Sequence, residues 1–221
     1  MTDLVIAYYN EKEYLNTFLA YANKYNYNII LYNKGNSEIN APLPHKIRKL
    51  DNIGQATHTY LYHIIQNYDN LNDITIFMLG SAFRGDKKAR KAHWILQNAN
   101  SCRGFLAQHI WLSDKSDYDF ELPYYDIINY NSNRLERVKT EMVRANIIPL
   151  GKWIESNTEF TLPNKQFYRA SKCMFAVTKE VILKKPLSYY KKIIKQLETN
   201  SRNLEVIHFF ENNIYHHYII Y

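Results

Sequence analysis

The chain has 221 residues, of which 46% are hydrophobic, so it can bury a sizeable core and is too apolar for a disordered protein. Its net charge of +7 predicts an anionic partner: a nucleotide, a nucleic acid or an acidic membrane surface. Only Cys102 and Cys173 are present, which excludes a disulfide framework and a cysteine-based zinc site. No signal-peptide pattern or apolar run of membrane-spanning length is found, so we expect a cytoplasmic protein, with peripheral membrane contact left open.

The first half of the chain alternates between apolar strands and amphipathic helices. The first strand begins at Leu4, and the helix after it, over residues 11–24, carries Leu15, Phe18 and Leu19 at helical spacing. The elements that follow are a strand over 27–33, a loop through Pro42 and Pro44, a helix opened by residues 52–54, a strand over 74–80, and a helix that Asp86 caps and that runs to about Asn98.

The second half is less regular. We expect a strand over residues 104–112, a weakly structured loop over 114–130 and a helix over 136–145, with loops or a lid concentrated in 113–163. A late strand over 172–177 precedes a helix start at Lys179, a helix over 187–197 and a last helix capped by Asn203. No repeat or domain boundary is visible, so residues 1–221 are treated as one domain.

Small and polar residues follow each of the first three strands. Tyr9-Asn10-Glu11 ends the first, Asn33-Lys34-Gly35 the second and Gly80-Ser81 the third. Buried-type strands separated by helices describe an open α/β sheet, and in such sheets ligands bind outside the carboxyl ends of the strands. The sequence therefore predicts a small-molecule site there, with a nucleotide as the first hypothesis.

Residues 52–65 (Asn-Ile-Gly-Gln-Ala-Thr-His-Thr-Tyr-Leu-Tyr-His-Ile-Ile), continuing in Asn67-Tyr68-Asp69, resemble the signature of a little-characterised family, catalogued as a domain of unknown function in fungi, bacteria and large DNA viruses. The first strand end, residues 32–35, residues 175–177 and Glu205 also match its pattern. Two positions depart from it: Gln55-Ala56 stands where the family has Arg-Glu, and Leu79-Gly80-Ser81 stands where the family tends to have Gln-Gly-His.

The family is similar in layout to GT-A glycosyltransferases, which implies a Rossmann-like central mixed sheet flanked by helices. The resemblance implies transfer of a sugar from a nucleotide-diphosphate donor, with UDP-sugar as first choice, to a glycan or glycolipid acceptor. An aromatic ring after a strand offers a stacking face, and an amide offers a donor and an acceptor. The residues that would bind the nucleotide sugar are Tyr9, Asn10, Asn33, Lys34, Gly80, Ser81 and Arg84.

GT-A enzymes usually hold Mn²⁺ or Mg²⁺ on an Asp-x-Asp after the fourth strand. The corresponding strand here ends in Gly80-Ser81 without a carboxylate, and Asp117-Tyr118-Asp119 lies in an acidic loop that we interpret as a solvated turn. A divalent metal stays an open alternative, with no metal ligand assigned. Basic side chains at the start of the helix after the third strand could stabilise a diphosphate instead. They are Arg84, Lys87, Lys88, Arg90 and Lys91.

Two residues are candidates for proton transfer. An inverting transferase needs a carboxylate or histidine that takes the proton of the acceptor hydroxyl. The resemblance places an acid at Glu205, in the first turn of the last helix, where an acid also favours the helix dipole. His58 lies near the start of its helix, where a core role is the simpler alternative.

A non-catalytic binding module is the main rival interpretation. The helix from Lys87 and a lysine group in residues 184–195 could hold nucleic acid or an acidic membrane surface, although no nucleic-acid motif occurs. A degenerate transferase is a third interpretation, because Ala56 and the missing Asp-x-Asp both depart from the expected patterns.

Overall fold

A six-stranded mixed sheet forms the centre of the protein. The computed structural model describes residues 1–39, 46–111, 125–126, 142–143, 146–147, 150–158, 168–170, 173–201 and 203–212. In chain order the strands are β1 (Thr2–Tyr8), β2 (Asn28–Asn33), β3 (Lys46–Lys49), β4 (Ile74–Leu79), β5 (Phe105–Leu106), β6 (His109–Trp111), β7 (Tyr125–Asp126), β8 (Met142–Val143), β9 (Tyr168–Ala170) and β10 (Phe175–Thr178).

The central sheet has the order β3-β2-β1-β4-β10-β5. Its first four strands are parallel: Val5 of β1 is level with Ile30 of β2 on one side and with Phe77 of β4 on the other. β10 runs antiparallel to β4 and to β5. Two small antiparallel pairs, β6 with β9 and β7 with β8, complete the described strands. The expected mixed α/β sheet is therefore confirmed.

Helices cover both faces of this sheet. They are α1 (Lys12–Ala22), α2 (Gln55–Asn67), α3 (Asp86–Asn98), α4 (Leu150–Thr158), α5 (Lys179–Ile182), α6 (Leu187–Thr199) and α7 (Leu204–Asn212). Because side chains alternate along a strand, Leu4 and Ile6 pack with α1 and α3, whereas Val5 and Ala7 pack with the helices of the other face. Burial on both faces explains why the strands are almost continuously apolar.

The first half of the chain follows the predicted elements closely, whereas the second half differs. The strand expected over 104–112 is divided, because β5 joins the central sheet and β6 pairs with β9 instead. β3 lies next to the predicted proline loop, where no strand was expected. All four of its residues are exposed, so β3 has no buried face. α3 starts at Asp86 with Gly85 at the capping position, so Asp86 does not cap it.

Residues 113–163, predicted to hold loops or a lid, include the helix α4 and the short strands β7 and β8. The helix expected over 136–145 is wrong at Met142 and Val143, which form β8; its other residues lie outside the described part. The Asn203 cap of α7 is confirmed, since its Oδ1 accepts a hydrogen bond from the Val206 N–H at 3.0 Å. None of the helices formed by the described residues is long and apolar enough to cross a bilayer.

Candidate functional site

The carboxyl ends of β1, β2 and β4 meet at one edge of the sheet. The chain leaves β1 toward β2 on one side, and β4 lies on the other, so the strand order changes direction at β1. Open α/β sheets bind their ligands in a crevice at this point, and we call the edge between the ends of β1 and β4 the crevice. The Gly80 N–H donates to the Ala7 carbonyl at 2.7 Å, and the Lys34 N–H donates to the Tyr8 carbonyl at 2.9 Å. These bonds bring the three predicted strand ends together.

Gly80 allows the two walls of the crevice to approach closely. A Cβ at this position would lie 2.8 Å from Glu11 Oε2 and 3.0 Å from Tyr8 Cα. Glu11 Oε2 in turn accepts a hydrogen bond from the Tyr9 N–H at 2.5 Å. A side chain at position 80 would therefore displace the Glu11 carboxylate, which is a steric reason for a glycine at this position.

Glu11 is a half-buried carboxylate in the crevice. The sequence placed it among the polar residues that end the first strand, but assigned it no role in binding or proton transfer. Burial raises its pKa, and the positive charges of Lys88 and Arg84 act in the opposite direction. The signal that could have identified it is its place directly after Tyr9-Asn10 at the end of a buried strand. Glu11 is thus an acid next to the basic side chains that we expected to bind an anion.

Tyr9 and Asn10 form the outer part of the β1 end. Tyr9 is 49% exposed and makes its ring available to a ligand. Asn10 has a left-handed backbone (φ 56°), and its Oδ1 accepts hydrogen bonds from Ser37 N at 3.2 Å and Ser37 Oγ at 2.8 Å. A Cβ at Gly35 would lie 2.2 Å from that Oδ1. The loop after β2 is therefore built directly against Asn10.

Asn33 organises the loop that follows β2. Its Oδ1 accepts from the Gly35 N–H at 2.9 Å, and its Nδ2 donates to the Ser37 carbonyl at 3.0 Å. The Lys49 ammonium also donates to the Gly35 carbonyl. Both ends of the Asn33 amide are used within the loop, so its direct role is to shape the loop that contacts Asn10.

Lys34 turns into the protein, away from the crevice. Only 6% of it is exposed, and its Nζ donates to the carbonyls of Ile53 and Gln55 just before and within the first turn of α2. Burial lowers the pKa of Lys34 to about 7, while the Asp51 carboxylate acts in the opposite direction. Lys34 therefore ties the end of β2 to the start of α2 and does not present its ammonium to a nucleotide.

The start of α2 is a strained turn. Gly54 (φ 55°) and Gln55 (φ 49°) are both left-handed, a conformation that costs a non-glycine residue energy. A Cβ at Gly54 would lie 2.8 Å from Leu197 Cδ1, and the Gly54 N–H donates to the Ser201 carbonyl at 2.9 Å. The turn is held from two sides, by Lys34 and by the connection between α6 and α7.

His58 lies in the first two turns of α2 and is buried. Its Nδ1 makes no hydrogen bond with any described residue. Burial, assisted by the Lys34 charge and opposed by Asp51, lowers the pKa of His58 to about 4. Five residues further on, the fully buried His63 has its pKa lowered to about 3, chiefly by burial, and its Nδ1 lies 3.1 Å from the Tyr32 hydroxyl. Both imidazoles are neutral at pH 7.

Glu205 lies in the first turn of α7 and is 1% exposed. Its Oε1 accepts hydrogen bonds from the backbone N–H groups of Asn146 at 2.5 Å and Ile147 at 2.8 Å. Its buried Oε2 has no hydrogen-bond partner among the described residues. The carboxylate thus anchors a distant backbone segment, a role that the sequence did not suggest.

Basic side chains border the crevice on the β4 side. Lys88 of α3 donates to Ser81 Oγ at 2.6 Å, and the Arg84 N–H donates to the Ser81 carbonyl at 3.0 Å. Arg84 is exposed. The structure therefore gathers Tyr9, Asn10, Gly80, Ser81 and Arg84 at one edge, whereas Lys34, His58 and Glu205 lie within the packed layers.

No group of three histidine, cysteine, aspartate or glutamate side chains suited to a metal ion occurs among the described residues. Asp117 and Asp119 lie outside the described part of the chain, so the prediction that they form a solvated turn is untested.

A comparison with protein families decides the classification. The model of the family described as "Protein of unknown function (DUF3431)" matches residues 4–220. The chain belongs to this family. Searches of curated proteins and of solved structures each returned no significant match. The DUF3431 match covers both crevice walls, and the 52–69 segment that carried the resemblance forms α2 with the turns at its two ends.

Proposed function

We propose that this DUF3431 protein is a glycosyltransferase of GT-A-like layout. It would bind a nucleotide-diphosphate sugar, with UDP-sugar as first choice, and transfer the sugar to a glycan or glycolipid acceptor. One observation carries the proposal: the crevice between β1 and β4 combines the exposed ring of Tyr9, the close approach at Gly80 and the nearby charges of Arg84 and Lys88. Stacking, backbone access and positive charge are what a nucleoside diphosphate requires.

The nucleoside would lie at the β1 end. Tyr9 offers a ring on which a base can stack. Asn10 keeps its side-chain NH₂ without a hydrogen-bond partner among the described residues, because only its Oδ1 is held by Ser37. An amide NH₂ donates to base carbonyls and ribose oxygens. In this proposal Asn33 and Lys34 act indirectly, since Asn33 shapes the loop that holds Asn10 and Lys34 fixes the start of α2.

The diphosphate would lie over Gly80 and Ser81. Arg84 is suited to grip two phosphate oxygens at once, and Lys88 adds a charge through its contact with Ser81. The Glu11 carboxylate opposes an anion here, and a bound diphosphate would raise its pKa further than burial alone. Proton uptake by Glu11 is thus coupled to donor binding in this scheme. If Mn²⁺ or Mg²⁺ takes part, its role is to neutralise the same phosphate charges.

Three groups are candidates for accepting the proton of the acceptor hydroxyl. Glu205 Oε2 and His58 Nδ1 are both buried and without a hydrogen-bond partner in the described part of the chain. Glu11 lies in the crevice itself.

The second candidate function is a non-catalytic binding module or a degenerate transferase. It is favoured by the deep burial of Glu205 and His58, since a buried group does not reach an acceptor hydroxyl.

Ligand binding and turnover separate these functions. We expect UDP to raise the melting temperature more than other nucleotides or an oligonucleotide do, and Tyr9→Ala to weaken UDP binding by about 1–3 kcal/mol through loss of stacking. Trp94→Ala on α3 is the matched control, since that aromatic residue is also partly exposed. Unchanged UDP affinity in folded Tyr9→Ala protein contradicts the proposed site. Donor binding without sugar transfer or hydrolysis for any acceptor tested supports the binding module.

A further inference from the structure

The outward side of α6 carries an unusual concentration of positive charge. Between residues 183 and 198 the chain has five lysines and a single acid, Glu198. The lysines are Lys184, Lys185, Lys191, Lys192 and Lys195. The opposite side of the helix is buried through Tyr190, Ile193 and Leu197. We propose that this lysine face docks the protein onto an anionic membrane surface.

The three lysines of the helix itself project into solvent. Lys191, Lys192 and Lys195 are exposed, and none of them forms an ion pair within the described part of the chain. Glu198 lies three residues after Lys195 without pairing to it. The charges of these three lysines are therefore available to an external anion, and they would attract a surface with negative lipid headgroups.

Apolar groups lie beside the lysines. Leu183, just before the lysine face, is 38% exposed. A groove of about 300 Å³ runs between α2 and α6; Tyr62, Ile65 and Ile194 contribute its apolar lining, and Lys191, Lys195 and Glu198 are also among its lining residues. Lysines next to an apolar groove match an amphiphile, since the phosphate meets the ammonium groups while the hydrocarbon near the headgroup meets the groove.

The composition of this face favours lipid over nucleic acid. It has no arginine between residues 183 and 198, and arginine is the side chain that recognises phosphate with two parallel bonds. The two tyrosines of the helix, Tyr189 and Tyr190, are buried, so neither offers a ring to an unstacked base. Lysines are mobile point charges, which suit a fluid surface of headgroups better than one fixed phosphate geometry.

The end of α6 borders the carboxyl edge of the sheet. Leu197 lies under Gly54, and the Ser201 carbonyl accepts the Gly54 N–H at the start of α2. The carboxyl-terminal end of α6 therefore lies close to the start of α2, at the carboxyl edge of the sheet. The choice of acceptor rests on the proposed function and deepens it, because a transferase held at a membrane meets a glycolipid more readily than a soluble glycan.

Vesicle flotation tests the docking. Wild-type protein should float with phosphatidylcholine vesicles that contain phosphatidylserine, should not float with phosphatidylcholine alone, and should be released by high salt. Each lysine near such a surface contributes about a fivefold gain in partition. The triple change Lys191→Glu, Lys192→Glu and Lys195→Glu should lower partition at least about 100-fold. The matched control reverses three exposed charges elsewhere, Lys24, Lys46 and Arg103, and should lose much less.

Three results would overturn the proposal: equal flotation with both vesicle types, equal loss in the two triple variants, or binding to an oligonucleotide without binding to vesicles. Circular dichroism checks that each variant is folded, and glutamine replaces glutamate at the same lysines if the first variant is not. UDP affinity should be equal in wild type and in the lysine-face variant. If the wild-type protein binds UDP but not the vesicles, the docking proposal alone fails. If it binds the vesicles but not UDP, the proposed function alone fails.

Discussion

Replacing Glu205 tests whether this residue holds the structure together. Its Oε1 accepts hydrogen bonds from two backbone N–H groups, those of Asn146 and Ile147, at 2.5 and 2.8 Å. Hydrogen bonds to a charged group contribute about 1.5–3 kcal/mol each, and Glu205→Ala removes the acceptor while leaving two donors without one. We therefore expect Glu205→Ala to lower the free energy of unfolding by about 4 kcal/mol. For a chain of this size that corresponds to a fall of about 10 °C in melting temperature.

Glu205→Gln separates the structural role from the chemical one. Glutamine keeps the Oε1 acceptor and loses the charge, so the loss of stability should be about 1–2 kcal/mol. If Glu205 also accepts the proton, turnover should fall sharply in Glu205→Gln while donor binding is retained. Melting curves and isothermal titration with UDP measure the two effects independently.

Glu198→Ala is the control, because this glutamate is exposed on α6 and has no ion pair within the described residues. Its melting temperature should stay within about 2 °C of wild type. A Glu205→Ala protein that melts as wild type does would refute the anchoring role. A drop in melting temperature with normal turnover in Glu205→Gln would refute the catalytic one.

Three further predictions follow from the site. Arg84→Ala should weaken UDP-sugar binding about tenfold or more in both EDTA and Mn²⁺, whereas Lys91→Ala should matter mainly at low salt; binding lost only in EDTA would contradict this. Gly35→Ala should disturb the Asn10–Ser37 contact, because the new Cβ would lie 2.2 Å from Asn10 Oδ1, and should lower the free energy of unfolding by about 1–3 kcal/mol. Urea denaturation measures this loss against Gly85→Ala, where a Cβ meets nothing within 4 Å and the cost comes from a positive φ (74°) that Gly35 does not have. The folded-state pKa values of His58 and His63, about 4 and about 3, lie below the usual 6.5, so the unfolded chain binds more protons and stability is lost as pH falls from 6.5 toward 4. At pH 5 each histidine should lower the free energy of unfolding by about 2 kcal/mol. A His63→Gln protein whose stability depends on pH as that of the wild type does would rule out this cause.

The sequence by itself determined the elements whose pattern is local. Apolar runs such as 4–8 and 74–79 are buried on both faces, and they form the parallel strands of the sheet. Polar residues directly after those runs could be placed at one edge, because carboxyl ends of parallel strands meet there. Tyr9, Gly80 and Ser81 follow from that rule alone. β3 could not be found in this way, since an exposed edge strand has no apolar face to mark it.

Only the tertiary structure decided what the polar side chains contact. Lys34 follows a strand as a ligand-binding residue would, yet its ammonium donates to carbonyls 19 and 21 positions later in the chain. Glu205 reads locally as a first-turn acid, whereas its partners lie 58 and 59 positions earlier. Glu11 follows β1 in the sequence, but only the fold brings its carboxylate against Gly80 at the end of β4. Hydrogen-bond partners and the desolvation that shifts a pKa depend on groups that folding brings together, and sequence spacing carries no information about those distances.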